Sequence, residues 1–200
     1  MARETAFDEV FDSQAVFREL LHCLSQPGKV GMVPPRAYDS RPSGFCAPAL
    51  SILKTLCDHR VSFSIGAASA RPDWAAYLEM NLSTAFGGVD TADFVLFDGA
   101  SYDNDFSRLR RGTPEFPEDS ATALLCVGEL REANASATRE LRLKGPGVKD
   151  VAQLFVSGLD GRYLDERRQA NVIYPMGIDL FLVDADGRVA GIPRTSNVEA

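Results

Sequence analysis

The clearest candidates for anion-binding chemistry lie near the end of the sequence. Arg194 and Thr195 follow directly after an apolar, strand-like segment that ends at Ile192. A guanidinium group can bind the oxygens of a phosphate or carboxylate through two parallel hydrogen bonds, and a neighbouring hydroxyl group can add a third. A structural ion pair between Arg194 and an acidic residue such as Asp179 would give the same sequence. Both interpretations therefore remain open at this stage.

A glycine-rich turn gives a second candidate. Gly145, Pro146 and Gly147 follow Lys144 at the end of another strand-like segment. Glycine lets the backbone approach an anion closely, so that backbone N–H groups can bind it. Pro146 removes one of these donors, and a sharp turn is therefore the simpler interpretation of the same residues.

Arg111 belongs to a third candidate, a basic cluster that also contains Arg108 and Arg110. The cluster stands beside Gly112 and the proline-rich segment 113–118, which we predict to be a loop. A solvent-exposed helix face is the alternative explanation for such a cluster. Together, Arg194, Thr195, Gly145, Gly147 and Arg111 are the predicted anion-binding residues, whereas the sequence identifies no catalytic residue.

Several large enzyme classes are excluded by missing motifs. The sequence contains no GxxxxGK[ST] phosphate loop, no GxGxxG dinucleotide fingerprint and no GxSxG nucleophile motif. The four cysteines form no CxxC pair and stand in apolar segments, which predicts small buried side chains and no metal site.

Charge and hydropathy limit the possible partners. The net charge of -7 argues against a nucleic-acid or anionic-membrane surface, since either needs a dominant basic field. No basic leader and no apolar stretch of about 20 residues is present, so we expect a cytoplasmic protein. Arginine supplies 17 of the 21 basic residues. This bias suits phosphate recognition, but a GC-rich genome would produce it as well.

Hydrophobic periodicity predicts alternating helices and strands. The most secure helix is 13–26, where Phe17, Leu20, Leu21 and Leu24 form an apolar stripe that begins after a cap at Asp12 or Ser13. Further helices are predicted at 47–58, from Pro72 through Leu78, at 102–111 and at 160–171. Strands are predicted at 30–33, 61–65, 92–97, 121–127 and 140–143, with an apolar segment at 151–156 and a hairpin at 178–183 and 188–192. The pattern indicates an α/β protein with one compact layered domain over residues 1–200.

Six collinear segments carry a resemblance to a known family. They are FRELLHCLSQPGKV (17–30), ALSILKTLCD (49–58), ADFVLFDG (92–99), RRGTPEFPE with the following SATALL (110–125), LKGPGV (143–148) and PMGIDLFLVDADGRVAGIPRT (175–195). Together they resemble the PhnH subunit family of bacterial carbon-phosphorus lyase along nearly the whole chain. In that family PRT is usually followed by a hydroxyl residue and then a basic one, whereas Asn197 follows Ser196 here.

The resemblance implies a fold similar to that of pyridoxal-phosphate-dependent transferases, without the cofactor. It also implies a homodimer in isolation and, in the cell, an assembly with PhnG, PhnI and PhnJ that an ATP-binding-cassette protein joins. That assembly forms ribose 1-phosphonate 5-triphosphate from MgATP and a phosphonate and releases adenine. A later step uses an iron-sulfur cluster with S-adenosylmethionine, which is assigned to a partner subunit.

Two functions are compatible with this resemblance. The first is a docking subunit for organic phosphonate catabolism that binds no cofactor and has no activity alone. The alternative is a direct contribution to a phosphate- or phosphonate-binding active site within the complex, through the anion-binding candidates named above. A surviving pyridoxal-phosphate enzyme is the weakest of the hypotheses, because no lysine follows Lys149.

Overall fold

A computed structural model describes residues 7–34, 36, 41–67, 69, 71–102, 104–133 and 138–200. Its α-helices are α1 (Phe11–Ser25), α2 (Ala47–Leu56), α3 (Pro72–Asn81) and α4 (Gly161–Ala170). Short 3₁₀-helices lie at Asn104–Arg108 and Pro117–Asp119. The strands are β1 (Gly31–Met32), β2 (Ser62–Ile65), β3 (Ala85–Phe86), β4 (Phe94–Asp98), β5 (Thr122–Cys126), β6 (Glu129–Arg131), β7 (Arg139–Lys144), β8 (Ala152–Ser157), β9 (Asp179–Val183), β10 (Arg188–Ile192) and β11 (Asn197–Glu199).

The strands form two sheets of different character. The larger sheet has the order β1-β10-β9-β5-β4-β2-β3. The strands from β9 to β3 are parallel to one another, and β10 pairs antiparallel with both of its neighbours, β9 and β1. The smaller sheet has the order β11-β7-β8-β6 and is antiparallel throughout. Because the central strands of the larger sheet run in one direction, their carboxyl ends share one edge, where ligands commonly bind.

Apolar side chains cover both faces of the larger sheet. On β4, Leu96 packs into a cluster with residues of α1, α2 and α3, whereas Val95 and Phe97 pack into a second cluster. That second cluster contains residues of α4 and of the smaller sheet, such as Tyr163 and Leu141. Alternate residues of a strand point to opposite faces, so these central strands are apolar on both sides.

Most of the predicted elements are confirmed, as is the α/β class. The hairpin of β9 and β10 has the predicted position, and its turn is closed by a hydrogen bond from the Gly187 N–H to the Asp184 carbonyl oxygen. The prediction of a helix at 102–111 is wrong, because only a 3₁₀-helix of five residues forms there. Strands β3, β6 and β11 were not predicted, since two or three residues are too few to establish a period. The Pro, Gly, Ser and Asp content of 34–44 also predicts a loop, and part of it, namely 35 and 37–40, lies outside the described residues.

Helix α1 begins and packs differently from the prediction. Its first turn is capped from outside by Asp8, whose carboxylate accepts hydrogen bonds from the backbone N–H groups of Val10 and Phe11. The predicted cap at Asp12 or Ser13 is therefore wrong, and Asp12 instead forms an ion pair with Arg36.

The buried face of α1 is also displaced from the predicted stripe. It contains Val16, Leu20 and Cys23, whereas Phe17 and Leu21 are 46% and 51% exposed. Two of the four predicted core residues of this helix thus face the surface.

Candidate functional site

A cavity of about 580 Å³ opens at the carboxyl edge of the parallel strands. Asp98 and Cys126, the last residues of β4 and β5, line it, together with Ser69 from the segment after β2 and Ala185 from the turn after β9. This is the position at which open α/β sheets place their ligands, and the size suits a molecule such as a nucleotide.

Two helices begin at the same cavity. Cys46 and Arg71 are the N-cap residues of α2 and α3, and both line it. Each helix carries a proline in its first turn. Proline has no backbone N–H group, so it leaves no unpaired donor at this end of the helix. The N-terminus of a helix carries a partial positive charge, so two such ends favour a negatively charged ligand.

Two arginines add full positive charges to the cavity lining. The Arg71 side chain is 52% exposed, donates to the Ser43 carbonyl oxygen at 3.3 Å and forms an exposed ion pair with Asp73 at the same distance. Its guanidinium centre lies 5.5 Å from the Trp74 ring centroid, a cation–π distance. Arg41 lines the cavity and is exposed. Contacts among the described residues engage Nη1 and Nη2 of Arg71 once each, so an anion within the cavity can still meet further guanidinium donors.

Asp98 is the acidic member of the lining, and internal contacts hold it in place. Its carboxylate accepts hydrogen bonds from the Ala100 N–H group and the Ser101 hydroxyl group at 3.0 Å each. The backbone N–H group of Asp98 donates to the Ser69 hydroxyl oxygen, and Ser69 is buried. Neutral donors thus hold both carboxylate oxygens, and the single negative charge of Asp98 faces the two positive charges of Arg41 and Arg71 in the lining.

An aromatic cluster forms one wall of the cavity. Phe45 contacts Trp74 edge-on at 5.2 Å between ring centroids, and it contacts Tyr77 at 5.4 Å. The Trp74 Nε1 atom is buried, and within the described part of the chain it finds no hydrogen-bond acceptor. A buried donor of this kind is costly to leave without an acceptor.

Two thiols complete the lining, Cys46 and Cys126. The interaction with the Cys126 thiol is the largest influence on Cys46 and lowers its pKa, and the Ala49 backbone N–H group acts in the same direction against the effect of burial. The same thiol–thiol interaction, followed by burial, raises the pKa of Cys126. All four cysteines of the chain are free.

The structure places Arg194 in an internal network. Its backbone N–H group donates to one carboxylate oxygen of Asp179, and its guanidinium group donates to the other oxygen through Nε and Nη2. Nη1 donates to the Pro117 carbonyl oxygen. The alternative raised by the sequence, an ion pair with Asp179, is the arrangement observed, and the side chains of both partners are about four-fifths buried.

The glycine turn at 145–147 packs against the C-terminal run, residues 191–196, through backbone atoms. A Cβ atom on Gly145 would lie 2.9 Å from the Thr195 carbonyl oxygen, and one on Gly147 would lie 2.2 Å from the Ser25 carbonyl oxygen. Gly147 also has a φ of +82°, which favours glycine. These contacts explain both glycines by close packing, in line with the turn interpretation.

Arg111 does not join that group as an anion-binding side chain. Its carbonyl oxygen accepts a hydrogen bond from the Gly177 N–H group, and its backbone pairs with Ser120. The side chain is exposed and makes a weak contact of 3.5 Å with the Ser107 carbonyl oxygen. The predicted site residues therefore do not converge on one cavity of the described structure.

Sequence reasoning missed Arg167, which organises the C-terminal run. This arginine is 3% exposed and donates to the carbonyl oxygens of Ile192, Pro193 and Ser196. Burial lowers the pKa of Arg167 to about 10. The predicted helix 160–171 contains several charged residues. Nothing in its sequence separates a buried arginine from an exposed one.

The cavity residues Arg41, Cys46, Arg71 and Trp74 were also missed. One signal could have found Arg71, because it directly precedes the helix-starting Pro72 and follows a predicted strand of an α/β protein. Among the described residues, no group of three or more His, Cys, Asp or Glu side chains could hold a metal ion. No described helix is both long enough and apolar enough to cross a membrane.

Comparison with known proteins gives consistent matches along the chain. Residues 5–199 match the family model described as bacterial phosphonate metabolism protein (PhnH). The chain is 32% identical over 198 residues to the alpha-D-ribose 1-methylphosphonate 5-triphosphate synthase subunit PhnH of Rhizobium meliloti strain 1021, covering 96% of this chain and 92% of that protein. It is also 32% identical over 190 residues to HtxG of Stutzerimonas stutzeri, described as a C-P lyase subunit, covering 92% of this chain and 85% of that protein.

Proposed function

Because the chain belongs to the PhnH family of bacterial phosphonate metabolism proteins, we propose that it is a subunit of the assembly that converts MgATP and a phosphonate into ribose 1-phosphonate 5-triphosphate and adenine. The observation that carries this proposal is the match over 96% of the chain to a subunit named for that synthase. A match of this extent covers both sheets and all the described helices. It therefore concerns the whole fold and no isolated motif.

The primary role that we propose is docking with the partner subunits PhnG, PhnI and PhnJ, with an ATP-binding-cassette protein joining the complex. An exposed apolar face formed by α1 and by Val10, the residue before it, supports this role. Val10, Phe17 and Leu21 are 71%, 46% and 51% exposed. Their spacing of seven and four residues aligns them along one side of the helix. Aromatic and aliphatic residues in such a row are typical of a surface that a partner covers.

Co-purification tests the docking role. We expect the wild-type chain to co-purify with PhnG, PhnI and PhnJ, and the double variant Phe17→Glu/Leu21→Glu to remain folded but to lose the complex, because two carboxylates would be buried in the interface. Met80→Glu is the matched control, since Met80 is 85% exposed on α3. Failure of the wild-type chain to co-purify with any of the three subunits would refute the proposal. Full assembly by the double variant would remove α1 as the docking face.

A second function, supported by the cavity, is direct binding of a phosphorus oxyanion in the active complex. The supporting observations are Arg41, Arg71 and the N-termini of two helices around one cavity at the carboxyl edge of the sheet. This moves the anion-binding role from Arg194, Thr195, Gly145, Gly147 and Arg111 to a different part of the molecule. The guanidinium groups and helix ends would hold the negative charge of the ligand, and no proton transfer by this chain is needed for that role.

A core cluster shared by both sheets supports treatment of residues 1–200 as one domain. A fold similar to that of pyridoxal-phosphate-dependent transferases, a homodimer in isolation and a cytoplasmic location follow from the resemblance. We propose that the iron-sulfur and S-adenosylmethionine chemistry belongs to a partner subunit.

We propose that this chain binds no pyridoxal phosphate. No lysine is found among the described residues that line the cavity, and a Schiff base requires one. Lys144 and Lys29 form ion pairs with Glu199 and Glu132 elsewhere. An absorbance spectrum of the full chain with added pyridoxal phosphate should show no Schiff-base band, and the appearance of that band would refute this point.

A further inference from the structure

The two ends of helix α2 carry cysteines in contrasting surroundings. Cys46 is the N-cap residue and Cys57 the C-cap residue, and each is 7% exposed. Each also lines a cavity, although not the same one. The positive end of the helix favours a thiolate at Cys46, whereas the negative end disfavours one at Cys57. One helix thus provides a reactive candidate and its matched control.

The electrostatic differences between the two thiols agree with this geometry. The Cys126 thiol and the Ala49 N–H group lower the pKa of Cys46, and the positive charge of Arg41 acts in the same direction. Burial and the carboxylates of Asp93 and Asp58 raise the pKa of Cys57 to about 12. Of the two thiols at the ends of α2, Cys46 is therefore the one that loses its proton more readily.

Cys126 lies beside Cys46 because two independent elements meet there. It ends β5, where it pairs with Val183 of the neighbouring strand β9. Asp184 directly follows β9, and its carbonyl oxygen lies 3.6 Å from the Cys46 Sγ atom. The Cys46 sulfur thus approaches the end of the strand that pairs with Cys126, the two thiols interact directly, and the same cavity reaches both residues.

We propose that Cys46 is a reactive thiol and Cys126 its resolving partner, and that a small-molecule disulfide entering the cavity converts the pair into a Cys46–Cys126 disulfide. The Cys46 thiolate attacks one sulfur of the incoming disulfide, forms a mixed disulfide and releases the first thiolate. Cys126 then loses its proton and attacks the Cys46 sulfur, which releases the second thiolate. Two protein thiols are oxidised, and one small disulfide is reduced to two thiols.

An anionic disulfide is the chemical class that the cavity favours. Arg41 and Arg71 line the same cavity as Cys46, and the N-terminus of α3 lies there too. Oxidised glutathione combines the required disulfide with carboxylates that these groups can hold, and it is the probe that we choose. This modification chemistry goes beyond the role of the chain as a subunit and does not depend on the assembly.

The test uses the full chain, oxidised glutathione and mass spectrometry under non-reducing conditions. We expect a Cys46–Cys126 disulfide in the wild-type chain and one glutathione held on Cys46 in Cys126→Ser, where the second step is blocked. Cys46→Ser should acquire neither modification, and Cys57→Ser should behave as the wild type. Circular dichroism checks that each variant remains folded.

A kinetic comparison sharpens this test. At neutral pH, we expect iodoacetamide to alkylate Cys46 at least about tenfold faster than Cys57, with a rate that reaches its plateau at a lower pH than for an ordinary thiol. Glutathione on Cys57 instead of Cys46, equal alkylation rates, or a wild-type chain that stops at the mixed disulfide would overturn the proposal.

Discussion

Two regions of this molecule gather arginines, but they use them differently. In the C-terminal region, Arg167 and Arg194 direct their guanidinium groups at carbonyl oxygens and at the Asp179 carboxylate. In the cavity, Arg41 is exposed, and among the described residues Arg71 makes one hydrogen bond to the Ser43 carbonyl oxygen and an exposed ion pair with Asp73. Arginine content alone therefore does not identify a ligand site. Guanidinium donors that no internal hydrogen bond or ion pair engages are the better guide to a ligand site.

The largest effect expected from this comparison is on stability in the C-terminal region. Arg167→Met should lower the free energy of unfolding by about 3 kcal/mol, because three buried carbonyl oxygens lose their donor. Denaturant unfolding measures this loss. Arg168→Met on the same helix is the control, since the Arg168 side chain is 59% exposed and should cost less than about 0.5 kcal/mol. Equal losses in the two variants would show that Arg167 is not the organising residue.

A double-mutant cycle on Arg194 and Asp179 should give the next largest effect. Each single change to alanine leaves a largely buried charge without its partner and should cost about 2 kcal/mol. The double variant should cost less than the sum of the two, by about 1–2 kcal/mol, if the pair is structural. Strictly additive losses would instead indicate that Arg194 acts independently of Asp179.

Arg71→Ala should show the opposite behaviour from these changes. The side chain is half-exposed with weak internal contacts, so unfolding should change by less than about 0.5 kcal/mol. Binding of MgATP by the complex should weaken about tenfold, because a charge-assisted contact is lost. Calorimetry measures the binding, and Arg142→Ala, a 58% exposed arginine of the smaller sheet, is the control. Unchanged binding in Arg71→Ala would remove the cavity as the anion site.

The smallest expected effect concerns salt. Higher ionic strength should weaken MgATP binding at the open cavity several-fold, since salt screens exposed charges. The stability difference between the wild-type chain and Arg167→Met should stay nearly constant, because Arg167 is buried among neutral carbonyl groups. Denaturant unfolding and calorimetry at two salt concentrations provide the comparison, and equal salt sensitivity in both regions would contradict it.

The sequence allowed much of the fold to be predicted because its central elements have clear periods. The apolar runs of β4, β5 and β9 and the hairpin of β9 and β10 come directly from hydrophobic patterning and turn residues. The buried face of α1 was predicted wrongly because Phe17 and Leu21 are large apolar residues of the kind found in cores, although they lie at the surface. An interface and a core are alike in composition, and only the structure separates them.

The candidate site was less predictable for a related reason. The motifs around Arg194, Gly145 and Gly147 stood out in sequence, yet close packing and an internal ion pair account for them. The cavity is formed by residues of several segments, such as Arg41, Arg71 and Cys126, which no sequence spacing connects. Tertiary structure brings these residues together at the carboxyl ends of the parallel strands.

Adenine release from MgATP and a phosphonate by the reconstituted complex tests the central claim most directly. Arg71→Ala and Arg194→Ala should be compared with the wild-type chain at a temperature where both variants are folded, with assembly followed by size and turnover expressed per assembled complex. We predict that Arg71→Ala assembles but loses about tenfold or more of the activity, whereas Arg194→Ala retains it despite its lower stability. The opposite result, normal turnover with Arg71→Ala and lost turnover in an intact complex with Arg194→Ala, would contradict this account. It would place the anion site at the C-terminal run.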